Sequence, residues 1–212
     1  MKNRTTYAVI TGDIVGSQKV RDKALLVKRL EEVLKEVAGV YPQVKAFEIF
    51  RGDSFQCLIE RPALSLRIAL LIRLGLYRLA PEGEKWEVRQ GIGIGEVEFL
   101  DARLSVSQGE AYVLAGKALE SMEKSQRLKI LTPDAKTNDQ LDVSNRLTDA
   151  VVERWRKKQA EAAYYALLKD ATQEEIARRL GITQAAVQQR LAHARFDAVR
   201  HYVRYFEEKL FA

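Results

Sequence analysis

Cysteine is almost missing from this chain of 212 residues: Cys57 stands alone. An intramolecular disulfide is therefore impossible, and the natural setting is a reducing compartment, the cytoplasm. Histidine is nearly as scarce. His193 and His201 lie eight positions apart on what reads as one long helix, outside the i,i+4 spacing that lets two imidazoles share a metal, so neither reads as a ligand. Long hydrophobic runs are lacking too. The most apolar segment, 63–80, is broken by Arg67, Arg73 and Arg78 and fails as a membrane span. The N-terminus leads into a strand pattern rather than the apolar core of a signal peptide. Acidic excess is also absent, and a formal net charge of +6 permits a polyanionic partner without requiring one. With 47% hydrophobic and 30% charged residues, the composition is that of an ordinary globular protein.

What is present centres on two strand-like stretches. Ala8 to Ile14 is apolar and β-branched, carries Asp13 near its end and is followed by Gly16 and Ser17. Phe47 to Gln56 places Gly52-Asp53 between two apolar runs, which suggests a tight hairpin. If the strands are neighbours, Asp13 and Asp53 meet at one end of a sheet. Two carboxylates there repel one another unless a cation lies between them, so the pair reads as a magnesium or manganese site. The alternative is that Asp13 caps the next segment and Asp53 serves a turn. The backbone N–H groups of Gly16 and Ser17 could face a phosphate beside the carboxylates. Glycine is too sparse there for a Walker-type loop. Lys19 and Arg21 either assist an anion or are simply solvated.

Along the chain, residues 21–38 show an amphipathic helical pattern ending at Gly39. Strands follow over 46–50 and 55–60. Pro62 then opens a helix to about Leu79 whose apolar residues cover most of its circumference, as expected of a buried helix or a subunit interface. A strand over 86–99 contains Gly91, Gly93 and Gly95. Alternate glycines strip one face, and either a helix or a nucleotide base approaches it. A helix over 109–124 and a short strand over 127–132 complete an α+β order of the ferredoxin-like or palm type. Polar residues dominate 134–145, which reads as a boundary between a domain of residues 1–134 and an all-α domain of residues 145–212.

In that second part, Thr172 and Glu175 match a capping box. The helix they open stops at Gly181-Ile182, and another starts at Thr183. Two short helices around a glycine turn read as a helix-turn-helix, with a structural helical hairpin as the alternative. The outward side of the second helix offers Thr183, Gln184, Gln188 and Gln189, with Arg190 and Arg195 nearby. Glutamine pairs bidentately with adenine and arginine holds phosphate or guanine, so DNA is the expected partner.

The motifs Asp13-Ile14-Val15-Gly16, Gly52-Asp53-Ser54-Phe55, Gly91-Ile92-Gly93 with Gly95-Glu96, and Gly109-Glu110-Ala111 followed by Leu114-Ala115-Gly116-Lys117 fall in the order of the class III nucleotidyl cyclase catalytic domain. The resemblance covers residues 7–132, and with the helical C-terminus the whole chain resembles the bacterial SatD family. It implies metal ligation by Asp13, Asp53 and the Ile14 carbonyl, with two metal ions gripping a triphosphate. It also implies nucleotide contacts at Gly16, Ser17, Gly52 and Gly93, and a two-fold homodimer. Counting four residues back from the second aspartate, the base-reading position is Ile49. Val113 stands where a transition-state asparagine is expected, and Lys117 where an arginine is, which makes Lys117 the catalytic candidate. The expectation is a DNA-binding regulator whose cyclase-like domain binds a nucleotide and a divalent metal. The alternative is an active nucleotidyl cyclase or related triphosphate-processing enzyme.

Overall fold

A computed structural model describes residues 6–98, 104 and 107–211 of the chain. The readings of residues 1–5 and Phe99 lie outside the described residues.

The first strand, β1 (Thr6–Ile14), buries Ala8 and Ile10 on one face and Val9 on the other. Helix α1 (Lys23–Val40) starts where the Asp22 carboxylate accepts from the Leu25 N–H at 2.8 Å, and it buries the stripe Leu26, Leu30, Val33, Leu34 and Val37. It runs through Gly39 for one residue more than the glycine stop suggests. Strands β2 (Val44–Phe50) and β3 (Ser54–Ile59) form a hairpin around Arg51-Gly52-Asp53, with Arg51 and Gly52 both at positive φ. A single 3₁₀ turn at Pro62–Leu64 leads into α2 (Ser65–Leu79).

Strand β4 (Val88–Glu96), helix α3 (Glu110–Glu120) and strand β5 (Leu128–Leu131) follow. The sheet order is β2-β3-β1-β4-β5, antiparallel except for the parallel β4–β5 pair. Its first four strands have the ferredoxin-like arrangement expected, and β5 extends it.

The sheet has two differently covered faces. Helices α1 and α2 lie on the one that carries Ile10, Phe55, Cys57 and Ile92. Burial pushes the Cys57 thiol pKa well up, so this cysteine is a core residue and not a nucleophile. On the other face α3 packs against β4, β1 and β5. A Cβ on Gly93 would overlap the Ala111 carbonyl and the Ala115 amide, and one on Gly91 would meet the Ala115 carbonyl and the Leu119 N–H. The bare glycine face is therefore filled by helix α3.

Residues 134–145, read as a polar boundary, are helical. They form the cap and first half of α4 (Ala135–Val152), with the Asp134 carboxylate accepting from the Thr137 N–H at 2.9 Å. Its inward face is partly polar: Asp149 is buried, pairs with Arg73 of α2 at 2.5 Å, and accepts from the amides of Arg127 at 2.7 Å and Leu128 at 3.1 Å. Within residues 134–145 only Leu141 and Asn145 are buried, so the polar stretch is mostly the exposed face of the first half of α4.

Helices α5 (Lys157–Leu168), α6 (Gln173–Leu180), α7 (Gln184–His193) and α8 (Phe196–Tyr205), the last closing in a π turn at Phe206–Leu210, complete the chain. α2 lies between the sheet and α5, which accounts for its all-round apolar pattern. One hydrophobic cluster runs from Ala8 to Phe206, joining the sheet to the C-terminal helices. The long helix expected to carry both histidines is two, because Arg195 adopts φ 50° and breaks α7 from α8.

Candidate functional site

Antiparallel pairing brings the two aspartates together. Asp13 is registered against Ser54 on one side and Arg89 on the other, and the Ile14 amide donates to the Asp53 carbonyl at 2.9 Å. Both carboxylates thus stand at one edge of the sheet, at the C-terminal end of β1, as the sequence led us to expect. Beyond Ile14 the chain turns at Gly16, whose φ of 66° is the left-handed conformation that glycine tolerates, into a 3₁₀ turn at Ser17–Lys19.

Every carboxylate oxygen at this edge has a partner. Arg89 of β4 forms a fork on Asp13, Nε to Oδ1 at 3.1 Å and Nη2 to Oδ2 at 2.7 Å. The Ser17 hydroxyl donates to Asp53 Oδ2 at 2.8 Å and the Ser54 hydroxyl to Oδ1 at 3.4 Å. The hydrogen bond to Asp13, against some desolvation, raises the Arg89 pKa. Arg89 was missed in the sequence, since nothing local joins residues 76 positions apart. Only the register of two antiparallel strands sets it opposite Asp13.

Among the described residues no group of three or more His, Cys, Asp or Glu side chains converges as a metal cage. The donor set here is two carboxylates and the Ile14 carbonyl. These hard oxygen donors fit a magnesium-type ion that keeps most of its ligands as water or phosphate, provided Arg89 yields an oxygen of Asp13.

Alternation along the strands decides which side chains share the face with Asp13. On β1 they include Val9 and Thr11, on β3 Gln56 and Leu58, and on β2 Ala46 and Glu48. Gln56 Nε2 donates to Thr11 Oγ1 at 3.0 Å, and Glu48 is registered directly against Gln56. Ile49 is registered against Phe55 and packs on the opposite core. Counting back four residues therefore lands on the wrong side of the sheet, and Glu48 is the residue on the carboxylate side. β2 remains half-exposed along most of its length.

The other sequence candidates are dispersed. Gly52 is at the hairpin tip with φ 79° and open space around it. Gly93 is covered by α3 and offers no surface to a base. Ala111, Ala115 and Ala118 face the sheet, while Lys117 and Val113 are exposed on the outer side of α3. No contact joins Lys117 to either aspartate among the described residues.

At the C-terminus, Gly181 ends α6 at φ 64°, and the Thr183 hydroxyl caps α7 by accepting from the Ala186 N–H at 3.2 Å. The Thr172 and Glu175 capping box is formed in both directions, at 3.3 and 2.8 Å. Gln184, Gln188 and Gln189 are exposed, Arg190 is half-buried beside Glu161 at 3.5 Å, and Arg195 is exposed at the α7–α8 turn.

The family model of SatD matches residues 7–208. The chain belongs to the SatD family. A search of the curated proteins returned no match. Among solved structures, this SatD chain is similar to the guanylyl cyclase Cya2, with 17% identity over 60% of this chain and 75% of that one and a TM-score of 0.43. It is also similar to a bacterial light-regulated adenylyl cyclase, with 16% identity, 59% and 43% coverage and a TM-score of 0.45. An adenylate/guanylate cyclase/hydrolase from Silicibacter pomeroyi matches at 20% identity, 57% and 72% coverage and a TM-score of 0.39. No helix among the described residues is long and apolar enough to cross a membrane.

Proposed function

We propose that this chain binds a guanine nucleoside triphosphate, with a magnesium or manganese ion, at the Asp13–Asp53 edge of its sheet. The observation that carries the reading is the strand register that gathers Asp13, Asp53, Arg89 and Ser17 at one edge, with Glu48, Gln56 and Thr11 across the adjoining face. The ion would be held by the two carboxylates and the Ile14 carbonyl, and when bound it supplies positive charge to the phosphates. Arg89, freed from one oxygen of Asp13, presents a planar fork suited to a phosphate. The Glu48 carboxylate accepts from adjacent N–H donors, which the pairing edge of guanine offers and that of adenine does not. Gln56 beside it carries the complementary amide.

Turnover of the triphosphate, by cyclisation or another release of pyrophosphate, is the second reading. It rests on Lys117, exposed on the outer side of α3, and has no asparagine to assist it, because Val113 occupies that position. From there Lys117 serves the carboxylate edge of a two-fold partner, so activity depends on a homodimer. The same chain presents α6, a glycine turn and α7 with three exposed glutamines, and we assign this pair to DNA as a helix-turn-helix regulator.

Competition of GTP and ATP against a fluorescent GTP analogue, with magnesium, tests the base assignment. Wild type is expected to favour GTP by about 10-fold or more, the discrimination of one good bidentate pair. Glu48→Lys is expected to abolish or reverse that preference. Equal affinity for ATP and GTP in the wild type refutes it.

A further inference from the structure

Four of the five residues 154–158 are cationic, and the exception is instructive. Trp155 is buried, its indole N–H donates to the Ala194 carbonyl at 2.7 Å, and its ring lies 6.3 Å from that of Phe196. The tryptophan therefore clips the α4–α5 turn onto the C-terminal end of α7, while Arg154, Arg156 and Lys158 face solvent around it. Between this turn and α7 lies a groove of about 650 Å³ lined by Arg154, Arg156, Lys158, Gln189, Arg190 and His193.

The charge of this groove is largely unopposed. Lys157 bonds the Ala80 carbonyl, and Arg190 has Glu161 at 3.5 Å. Arg154, Arg156 and Lys158 have no ion-pair partner among the described residues. Three cationic side chains lining one groove without ion-pair partners repel one another, and a row of anionic oxygens relieves that repulsion.

We propose that the 154–158 turn and the Gln189–His193 flank of α7 form a phosphate-binding wall for the backbone of duplex DNA. The inference rests on the assignment of α7 to DNA and deepens it. On α7 the exposed polar residues fall in two stripes at i,i+4 spacing: Gln184 and Gln188, and Gln189 and His193. The second stripe borders the basic groove. A duplex that receives the first stripe in its major groove therefore brings one backbone strand against Arg154, Arg156 and Lys158. Phosphate contacts of this kind set register and affinity, whereas base contacts set sequence. With Trp155 buried, the groove offers no aromatic platform, which favours a duplex backbone over stacked single strands.

The test is the salt dependence of binding to a duplex selected by the wild-type chain from a randomised pool. Arg154→Gln/Lys158→Gln removes two exposed charges and leaves the Trp155 clip intact. The slope of log K against log salt is expected to fall by about 2, since each phosphate contact contributes about 0.9, with sequence preference retained. Gln184→Ala/Gln188→Ala is expected to do the reverse, relaxing preference while keeping the slope. An unchanged slope in the charge variant, with tight wild-type binding, overturns the wall and leaves α7 as the DNA element. No duplex binding by folded wild type at low salt overturns both. Binding to anionic vesicles or duplex RNA in place of DNA, lost in the charge variant, overturns the proposed occupant.

Discussion

Arg67→Met tests whether the sheet and the C-terminal helices fold as one body. Arg67 lies on α2 with its side chain only 5% exposed. It forks onto Glu207, at 2.6 and 2.9 Å, and reaches the Leu167 carbonyl at 2.9 Å and Asp170 at 3.1 Å. One side chain thus joins α2, which lies on the sheet, to the end of α5 and to the π turn that follows α8. Methionine keeps much of the volume and removes every one of these bonds. The Leu167 carbonyl keeps the Tyr41 hydroxyl at 3.1 Å, and half-exposed Asp170 turns to water. Glu207, 15% exposed, loses its counter-charge and dominates the cost. Removing one partner of a buried pair costs about 3–5 kcal/mol, and the partial exposure of Glu207 favours about 3. For a chain of this size that corresponds to a fall in Tm of about 6–12 °C. Calorimetry and far-ultraviolet circular dichroism should show one cooperative transition that moves as a whole, and adding Glu207→Gln should recover part of the loss. Two resolved transitions with only one displaced, or a loss below about 1 kcal/mol, would refute the reasoning.

Gly93→Ala forces a methyl group into the backbone of α3 and is expected to destabilise by about 3 kcal/mol in urea unfolding. Gly116→Ala, on the same helix with open space around it, should instead stabilise by about 0.5–1 kcal/mol. Acid unfolding addresses Glu87. Burial alone would raise its pKa, but the hydrogen bond and charge of Lys85, with Arg73 and Arg127, bring it below the usual glutamate value. Its contribution is therefore present above about pH 4.3, the ordinary value, and is lost as pH falls through the lower folded one. The stability gap between wild type and Glu87→Gln should be level from pH 7 to about 5 and close in stronger acid. A gap that grows on acidification contradicts this assignment.

Local patterns made much of the fold legible. The Asp13 strand, the stripe of α1, the all-round apolar α2 and the Thr172 capping box each carry their signal within a few residues. The order of strands and helices follows from them. Relations between distant segments were not legible. Arg89 faces Asp13 only through strand register, and Glu48 rather than Ile49 shares its side of the sheet because the hairpin loop shifts the count. The polar stretch 134–145 reads as a boundary because, apart from Leu141 and Asn145, it is the exposed or half-exposed first half of α4, and only the structure shows it as helix. The alternate glycines were read correctly as a close approach, and the approaching element is α3. Arg154 to Lys158 drew no notice because a basic run gains meaning only when Trp155 pins it beside α7.

The central claim is that Asp13 and Asp53 hold a metal-bound nucleotide, and calorimetric titration of magnesium GTP into wild type and Asp53→Ala tests it most directly. The mixtures should then be examined by mass spectrometry for product. The account predicts saturable wild-type binding that Asp53→Ala weakens at least tenfold while the variant's melting curve stays intact. Equal binding by the two proteins, or no binding of magnesium GTP by the folded wild type, would contradict it.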